Sequence, residues 1–451
     1  MSIAADFERY AAQMRERNLR LLLTPVLLSV PLALALHWLI GRVYVDFIVD
    51  LSGDTAVGHG AGGLEIPITY IATVVATAAC ALYCANRAGP SRMMVVIQLV
   101  AVVIPLQALV AAQFELARPE FAVIVALAFV GSLGFAGLMP DLILPPASSR
   151  ARQVMLLVGV LLSAYVYGAL IVRGGLGRFS FDLTAVYSVR EEFLEGYAPL
   201  IGYLVPWQGY VLNPALMLIG FQRRSLILVA SGVALQVLLF GMTGFRAFLL
   251  IPVLLAGILL IGRRRNLAAG AIAAVIGVIG IALLLYAWLA EPLIPVLLVD
   301  RVIMVPAEVH YWYYDFFGVH GEPLLQLSQS LLGAFASAHY TTPIAEVIGW
   351  KYLGSAASAN VGLFADAFAN FGFAGCAVYA LLFALVLKVV DAAGRNTDPR
   401  VAAALLGMPS FQLVNSSLLT TLLTHGLALA VVVLWVIPPA PGAFAGAKAR
   451  A

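Results

Sequence analysis

The sequence predicts an all-α, polytopic membrane protein of about twelve transmembrane helices, interrupted by one long polar segment that carries short helices. Three observations lead there. Of 451 residues, 62% are hydrophobic and only 11% charged, where a soluble chain would have about a quarter charged. The mean hydropathy is +0.98, and the apolar residues fall in runs of roughly 20, the length that crosses a bilayer. Lys and Arg collect in alternate loops, the signature of loops that stay on the cytoplasmic side.

The elements follow in order. Residues 1–18 read as a short interfacial helix: Ile3, Phe7, Tyr10 and Met14 recur at helical spacing opposite Glu8, Arg15 and Arg17, a pattern suited to the cytoplasmic membrane surface. The first apolar run comes after this leader and is long enough to span, so the start does not read as a cleaved signal. Residues 19–451 are expected to form a single transmembrane domain. Its spans are placed at 19–41, 67–86, 93–113, 120–139, 154–172, 199–220, 225–242, 247–262, 267–289, 360–388, 401–416 and 422–437. The seventh and eighth are short, and only a polar stretch, Asn415–Thr424, separates the last two.

With the N-terminus inside, one set of alternate loops carries Arg9, Arg15, Arg17 and Arg20; Arg87 and Arg92; Arg150 and Arg152; Arg223 and Arg224; Arg263, Arg264 and Arg265; Lys388, Arg395 and Arg400; and Lys448 and Arg450. Both termini are then cytoplasmic. The exterior loops include 173–198 and the long segment 290–359. The exterior cations are Arg42, Arg118, Arg173, Arg178, Arg190, Arg246, Arg301 and Lys351. Arg42 and Arg118 sit at span ends, where snorkelling to lipid phosphates explains them. His59 lies in an acidic, glycine-rich exterior loop and reads as solvated. Cys80, Cys84 and Cys376 all lie inside apolar runs, which fits neither a disulfide framework nor a thiolate metal site.

Several function classes are excluded. There is no phosphate-binding GxxxxGK[ST] loop and no GxGxxG after a strand, so nucleotide-driven chemistry is not expected. HxxxH and HExxH spacings are absent, and His310 and His320 stand too far apart for a metal signature. No metal, no cofactor and no nucleic acid are expected. Neither an internal repeat nor an inverted pair of glycine-broken helices, the mark of many transporters, is visible.

The exterior arginines are the informative residues. A guanidinium is a planar fork of donors that matches phosphate and stays charged when desolvated. Two or more such forks would bind a lipid-linked pyrophosphate and stabilise the charge that grows as it departs. Arg190, Arg246 and Arg301 are the first candidates, with Arg173 and Arg178 behind them; pairing with Glu191, Glu192 or Asp300 is the plainer alternative.

The long segment adds acid–base groups. Glu308, His310 and Asp315 lie close together, and if 306–317 is helical, positions 308, 311 and 315 share a face. One of these, or His339, could activate a sugar hydroxyl. Trp312 and Tyr314 could stack on sugar rings, although aromatics beside a bilayer often form an interfacial belt. Residues 324–340 are expected as a helix lying at, or dipping into, the interface. Asn360 and Asp366 then start the tenth span, where a carboxylate is a functional candidate.

A family resemblance emerges from these stretches. The exterior DLTAVYSVRE, the following YLVPWQGYVLNPALML, the basic FQRR and the turn MTGFRAFLLIP resemble the bacterial O-antigen and exopolysaccharide repeat-unit polymerases (Wzy type). The matching positions are Tyr187 and Arg190, Pro214, Arg223 and Arg224, and Thr243, Gly244 and Arg246. RVIMVP with YYDFFG, and ANVGLFADAFANFGFAG, resemble the family's late exterior loop and the span after it. The likeness covers roughly half the chain, 170–390. It implies a metal-independent, GT-C-like integral-membrane glycosyltransferase of the bacterial inner membrane. Such an enzyme would pass a glycan from undecaprenyl pyrophosphate to another carrier-linked repeat unit at the periplasmic face. A chain-length regulator protein is an expected partner, and Tyr187 joins the glycan contacts. A ligase-like transferase would share arginines and topology but differ in acceptor. A flippase is the contrasting non-enzyme reading, and it predicts polar residues along the depth of the spans.

Overall fold

The computed structural model describes residues 3–48, 67–112, 118–177, 179, 199–261, 266–330, 332–333, 339–355 and 357–437, with the backbone alone over 3–22. Among these residues every regular element is a helix. We number them α1 (Ile3–Val43), α2 (Pro67–Asn86), α3 (Ser91–Ala112), α4 (Pro119–Leu138), α5 (Ser149–Val172), α6 (199–223), α7 (Leu226–Thr243), α8 (Arg246–Ile261), α9 (Leu267–Leu289), α10 (293–319), α11 (Ile344–Leu353), α12 (Leu363–Gly394), α13 (Pro399–Asn415) and α14 (Leu418–Val436).

Nine of these, among the described residues, are long and apolar enough to cross a bilayer: α1 from Leu23, α2, α3, α4, α5, α7, α9, α12 and α14. The chain is therefore a polytopic, membrane-embedded helical protein. The other three expected windows are helical too. α6 holds Pro206, Gln208, Asn213 and Pro214 and widens into a π-type turn at Gln208–Leu212. α8 has 16 residues, about 24 Å of rise, which is short of a hydrocarbon core of about 30 Å. α13 carries an internal Pro409. The expected separate leader 1–18 is continuous in backbone with the first span.

The chain divides into two compact units, Met1–Ala88 with Val95–Pro140 and Arg264–Leu385, and Gly89–Met94 with Asp141–Arg263 and Val386–Ala451. Unit one is built around the Val95–Ala112 part of α3. Every residue from Ile104 to Ala112 is buried, including Gln107, whose amide donates to the Ala122 carbonyl. A helix that is apolar all round must be covered by others. α1, α2, α4 and α10 provide that cover, with small residues such as Ala101, Ala108 and Ala111 admitting close approach.

In unit two, α5 is equally apolar but leaves Leu156, Leu157, Val160 and Leu161 exposed, the surface that hydrocarbon would wet. Its inner side meets a buried polar network. Ser163 donates to Gln208, the Gln208 amide to Asn213, and the Asn213 amide to both Tyr167 and Gln236, whose own amide ends on the Gly209 carbonyl. Within this network the buried amides and hydroxyls satisfy one another, which is what a membrane interior demands.

Two expectations change. The long polar segment, expected to carry short helices, opens on one long helix: α10 runs without interruption from Leu293 to Val319, and Pro306–Tyr314 are all buried. Pro306 lies inside this helix, just after the π-type stretch Val296–Met304, where the widened turn accommodates its ring and the donor it lacks. The interfacial helix expected at 324–340 is absent among the described residues, where 326–329 form turns with Gln326 and Leu327 at φ 48° and 64°. A break in α12 takes up these backbone amides. Phe371 (φ −142°) and Gly372 (φ 61°, ψ −151°) interrupt that helix. Its freed carbonyls at Ala369 and Asn370 accept from the Leu325 and Gln326 amides, and the Asn370 side chain accepts from Leu327 at 2.7 Å.

Candidate functional site

Unit one gathers carboxylates and aromatics at the end of α10. A π-type turn at Asp315–Val319 closes the helix, and such turns widen the spacing between contacting residues from four to five. Asp315 thereby meets His320: the imidazole Nδ1 lies 2.9 Å from the Asp315 carbonyl oxygen and 3.2 Å from its carboxylate. Tyr352 of α11 donates to the same carboxylate at 2.5 Å. The Tyr352 ring stacks on Trp312 with planes 1° apart, and the Lys351 ammonium sits 5.0 Å over Phe316.

A second carboxylate is held in the same manner one turn back. Tyr314 donates to Glu120 at the start of α4 at 2.5 Å, and its ring stacks on Phe121. The Tyr311 hydroxyl accepts from the Arg118 amide at 3.0 Å and feels the charge of both Asp315 and Glu120. Burial first, then the neighbouring carboxylates, push the Tyr311, Tyr314 and Tyr352 phenols up. The Tyr313 phenol is raised mainly by burial and donates to the Ala359 carbonyl. These tyrosines therefore remain donors at any physiological pH.

The other candidates of this segment separate. His310 is fully buried, its Nδ1 2.6 Å from the Pro306 carbonyl, and burial lowers it to about 4. Glu308 is 2% exposed. Both face the interior of unit one, so neither reaches a bound sugar in this conformation. Glu308 and Asp315 do share a helix side, but seven residues of rise, about 10 Å, lie between them. Arg301 is exposed on the first widened stretch of α10, beside buried Asp300. His339 and Asn360 are exposed, away from regular helix. Asp366, in the first half of α12, accepts from the Asn370 amide at 3.2 Å and from Tyr379 beyond the break.

Unit two carries the arginine end. α5 finishes at Val172 and passes into Arg173, Gly174 and Gly175; α7 finishes at Thr243, and Gly244 at φ 69° turns the chain into α8, which starts at Arg246. The two ends pack together. A Cβ at Gly175 would come within 3.2 Å of the Met242 sulfur, and one at Gly241 would strike the Phe179 ring at 2.2 Å. Arg173 is exposed there and Arg246 half-buried. The helix dipole of α8 adds positive potential beside Arg246. Arg178, Arg190 and Tyr187 lie outside the described residues.

Sequence reasoning missed Glu120, His320, Tyr311 and Tyr352. Tyr311, His320 and Tyr352 sat in a segment already singled out, but the partner of His320 lies five residues back, a spacing that no α-helical pattern would pair. Among the described residues, no three His, Cys, Asp or Glu side chains gather as a metal ion would need. Comparison with family models, with curated proteins and with solved structures finds no match to this chain.

Proposed function

We propose that this chain is an integral-membrane glycosyltransferase that polymerises lipid-linked oligosaccharide repeat units, of the Wzy type. In this reading it has about twelve spans in a GT-C-like arrangement, sits in the bacterial inner membrane with both termini cytoplasmic, and works at the periplasmic face. The observation that carries the proposal is the cluster at the end of α10. Two carboxylates, Asp315 and Glu120, are each fixed by a tyrosine hydroxyl beside a stacked Trp312–Tyr352 pair. Fixed acceptors beside flat apolar faces suit a sugar, which offers hydroxyls at its rim and C–H groups on its faces.

The arginine end of unit two supports the donor half of the reading. Arg173 and Arg246 would take the pyrophosphate of an undecaprenyl-linked glycan and stabilise the charge of its departure without a divalent cation. Arg178, Arg190 and Arg301 belong to the same proposal, as do Tyr187, Asn360 and Asp366 on the glycan side; Trp312 and Tyr314 are buried and stacked on Tyr352 and Phe121, so they would shape that side from behind and not touch the sugar. A chain-length regulator protein remains the expected partner. A ligase-like transferase would differ only in acceptor.

The test is incubation of purified protein with lipid-linked repeat units in chelator and without nucleotide. A ladder of longer lipid-linked glycans is the expected result; no covalent product would defeat the proposal. A second reading, a flippase for the same lipids, draws on two observations: the polar network inside unit two and the broken span α12 with Asp366 near its break. Translocation of a fluorescent lipid-linked oligosaccharide in proteoliposomes, with no new glycosidic bond, would favour it.

A further inference from the structure

We infer that His320 is the general base that removes the proton of the acceptor hydroxyl, and that Asp315 is its positioning residue. The inference rests on the glycosyl-transfer reading above and assigns a residue to the acceptor side. Its first support is the tautomer. His320 Nδ1 faces two oxygens of Asp315, the carbonyl at 2.9 Å and the carboxylate at 3.2 Å. Both can only accept, because Tyr352 already donates its proton to that carboxylate. Nδ1 must therefore carry the hydrogen, which leaves the Nε2 lone pair available to take a proton.

The second support is access. The His320 side chain is 48% exposed and that of Asp315 24%, whereas His310 is 0% exposed and Glu308 2%. Among the three groups held on α10 and its end, only the His320–Asp315 pair presents a basic atom outward on a rigid support. The third is the frame. Tyr352 fixes Asp315, Trp312 stacks on Tyr352, and Lys351 caps Phe316 beside them. A base oriented by a carboxylate that is itself oriented by a third group is the general arrangement for activating a hydroxyl.

The step balances without an added reagent. As the acceptor oxygen bonds to the anomeric carbon, its proton passes to His320 Nε2. The bond from that carbon to the phosphate oxygen breaks, and its electron pair leaves with the pyrophosphate. Asp315 stabilises the imidazolium until Nε2 returns the proton to water. The charged and titratable groups on the elements packed about the end of α10 are Tyr311, Tyr314 and Asp315 on α10 itself, Glu120 on α4, Glu322 and Tyr340 on the following segment, and Lys351 and Tyr352 on α11.

The experiment uses the full chain in nanodiscs with a defined lipid-linked repeat unit, measuring kcat, KM and their pH dependence. His320→Gln should lower kcat by about 10²–10⁴-fold, with little change in KM, and should erase the acidic limb of the kcat profile. In His320→Gly, added free imidazole should restore turnover. Asp315→Asn, which invites the other tautomer, should lower kcat while keeping a displaced acidic limb. An active wild type whose His320→Gln variant keeps both rate and pH profile would overturn the base while leaving the transferase standing. A wild type that forms no glycosidic bond would overturn both.

Discussion

At the scale of single residues, His310 inside α10 and His320 just past its end have opposite environments. His310 is enclosed, and its neutral form is the one that folding selects. Its proton affinity falls from the ordinary 6.5 to about 4 because burial penalises the cation. The unfolded chain thus binds a proton that the folded chain refuses. Stability from this group is complete above pH 6.5 and is lost as pH falls toward 4, by about 3 kcal/mol in all. A His310→Gln variant should show a flatter stability–pH curve over that window, measured by thermal unfolding in detergent. An unchanged curve would mean that His310 is hydrated. Arg246 belongs to this scale as well. Arg246→Ala should abolish long-chain product while the protein still inserts, read by glycan gel electrophoresis beside a membrane-fraction blot. Wild-type chain lengths in that variant would remove it from the pyrophosphate role.

At the scale of elements, deviations from regular helix matter more than the helices. Gly372 occupies φ 61°, ψ −151°, a region essentially restricted to glycine. A Cβ there meets only Leu324 at 3.9 Å, so substitution costs backbone strain and not collision. Gly372→Ala should destabilise the protein by about 1–3 kcal/mol and loosen the 324–327 segment that leans on the break, an effect visible as faster amide exchange at Leu325 and Leu327. The broken span was written in NFGFAG, yet a glycine in an apolar run usually marks close packing, and only the geometry separates the two. The nine long apolar helices among the described residues were legible because hydropathy reports length and polarity directly. Burial was not: α3 and α5 are alike in composition, and one is enclosed while the other faces lipid. Nor was α10, whose aromatics and charges look like a wet loop until their partners on α4 and α11 are seen.

At the scale of the whole molecule, orientation is the property that joins sequence and function. Exposed His339 and exposed Arg395 fall on opposite sides of the bilayer in the proposed topology. The three native cysteines are buried and should give little background to an impermeant maleimide. His339→Cys should then label from the periplasm and Arg395→Cys only after permeabilisation. The reverse pattern would invert the topology and place the cluster of α10 in the cytoplasm, where carrier-linked repeat units are assembled instead of joined. The arginine tips of unit two were legible because the charge rule makes a cation conspicuous in a loop that it assigns to the exterior. The cluster at the end of α10 was only half legible, since Asp315 and Tyr314 stood in the segment singled out but Glu120 stands some two hundred residues earlier.

The widened turn at Asp315–Val319 makes the chain sensitive to counting as well as to chemistry. Such a turn stores one residue more than an α-helical turn holds. Removing Gly318 would put the histidine four residues after Asp315, and an α-helical turn would bring the two together as the widened turn does now. Adding one residue there would make the spacing six, which neither kind of turn pairs, and the histidine would swing away from Asp315 although both residues remain in the protein. A one-codon insertion at Gly318 should therefore mimic the loss of the histidine itself, while a one-codon deletion there should be far milder.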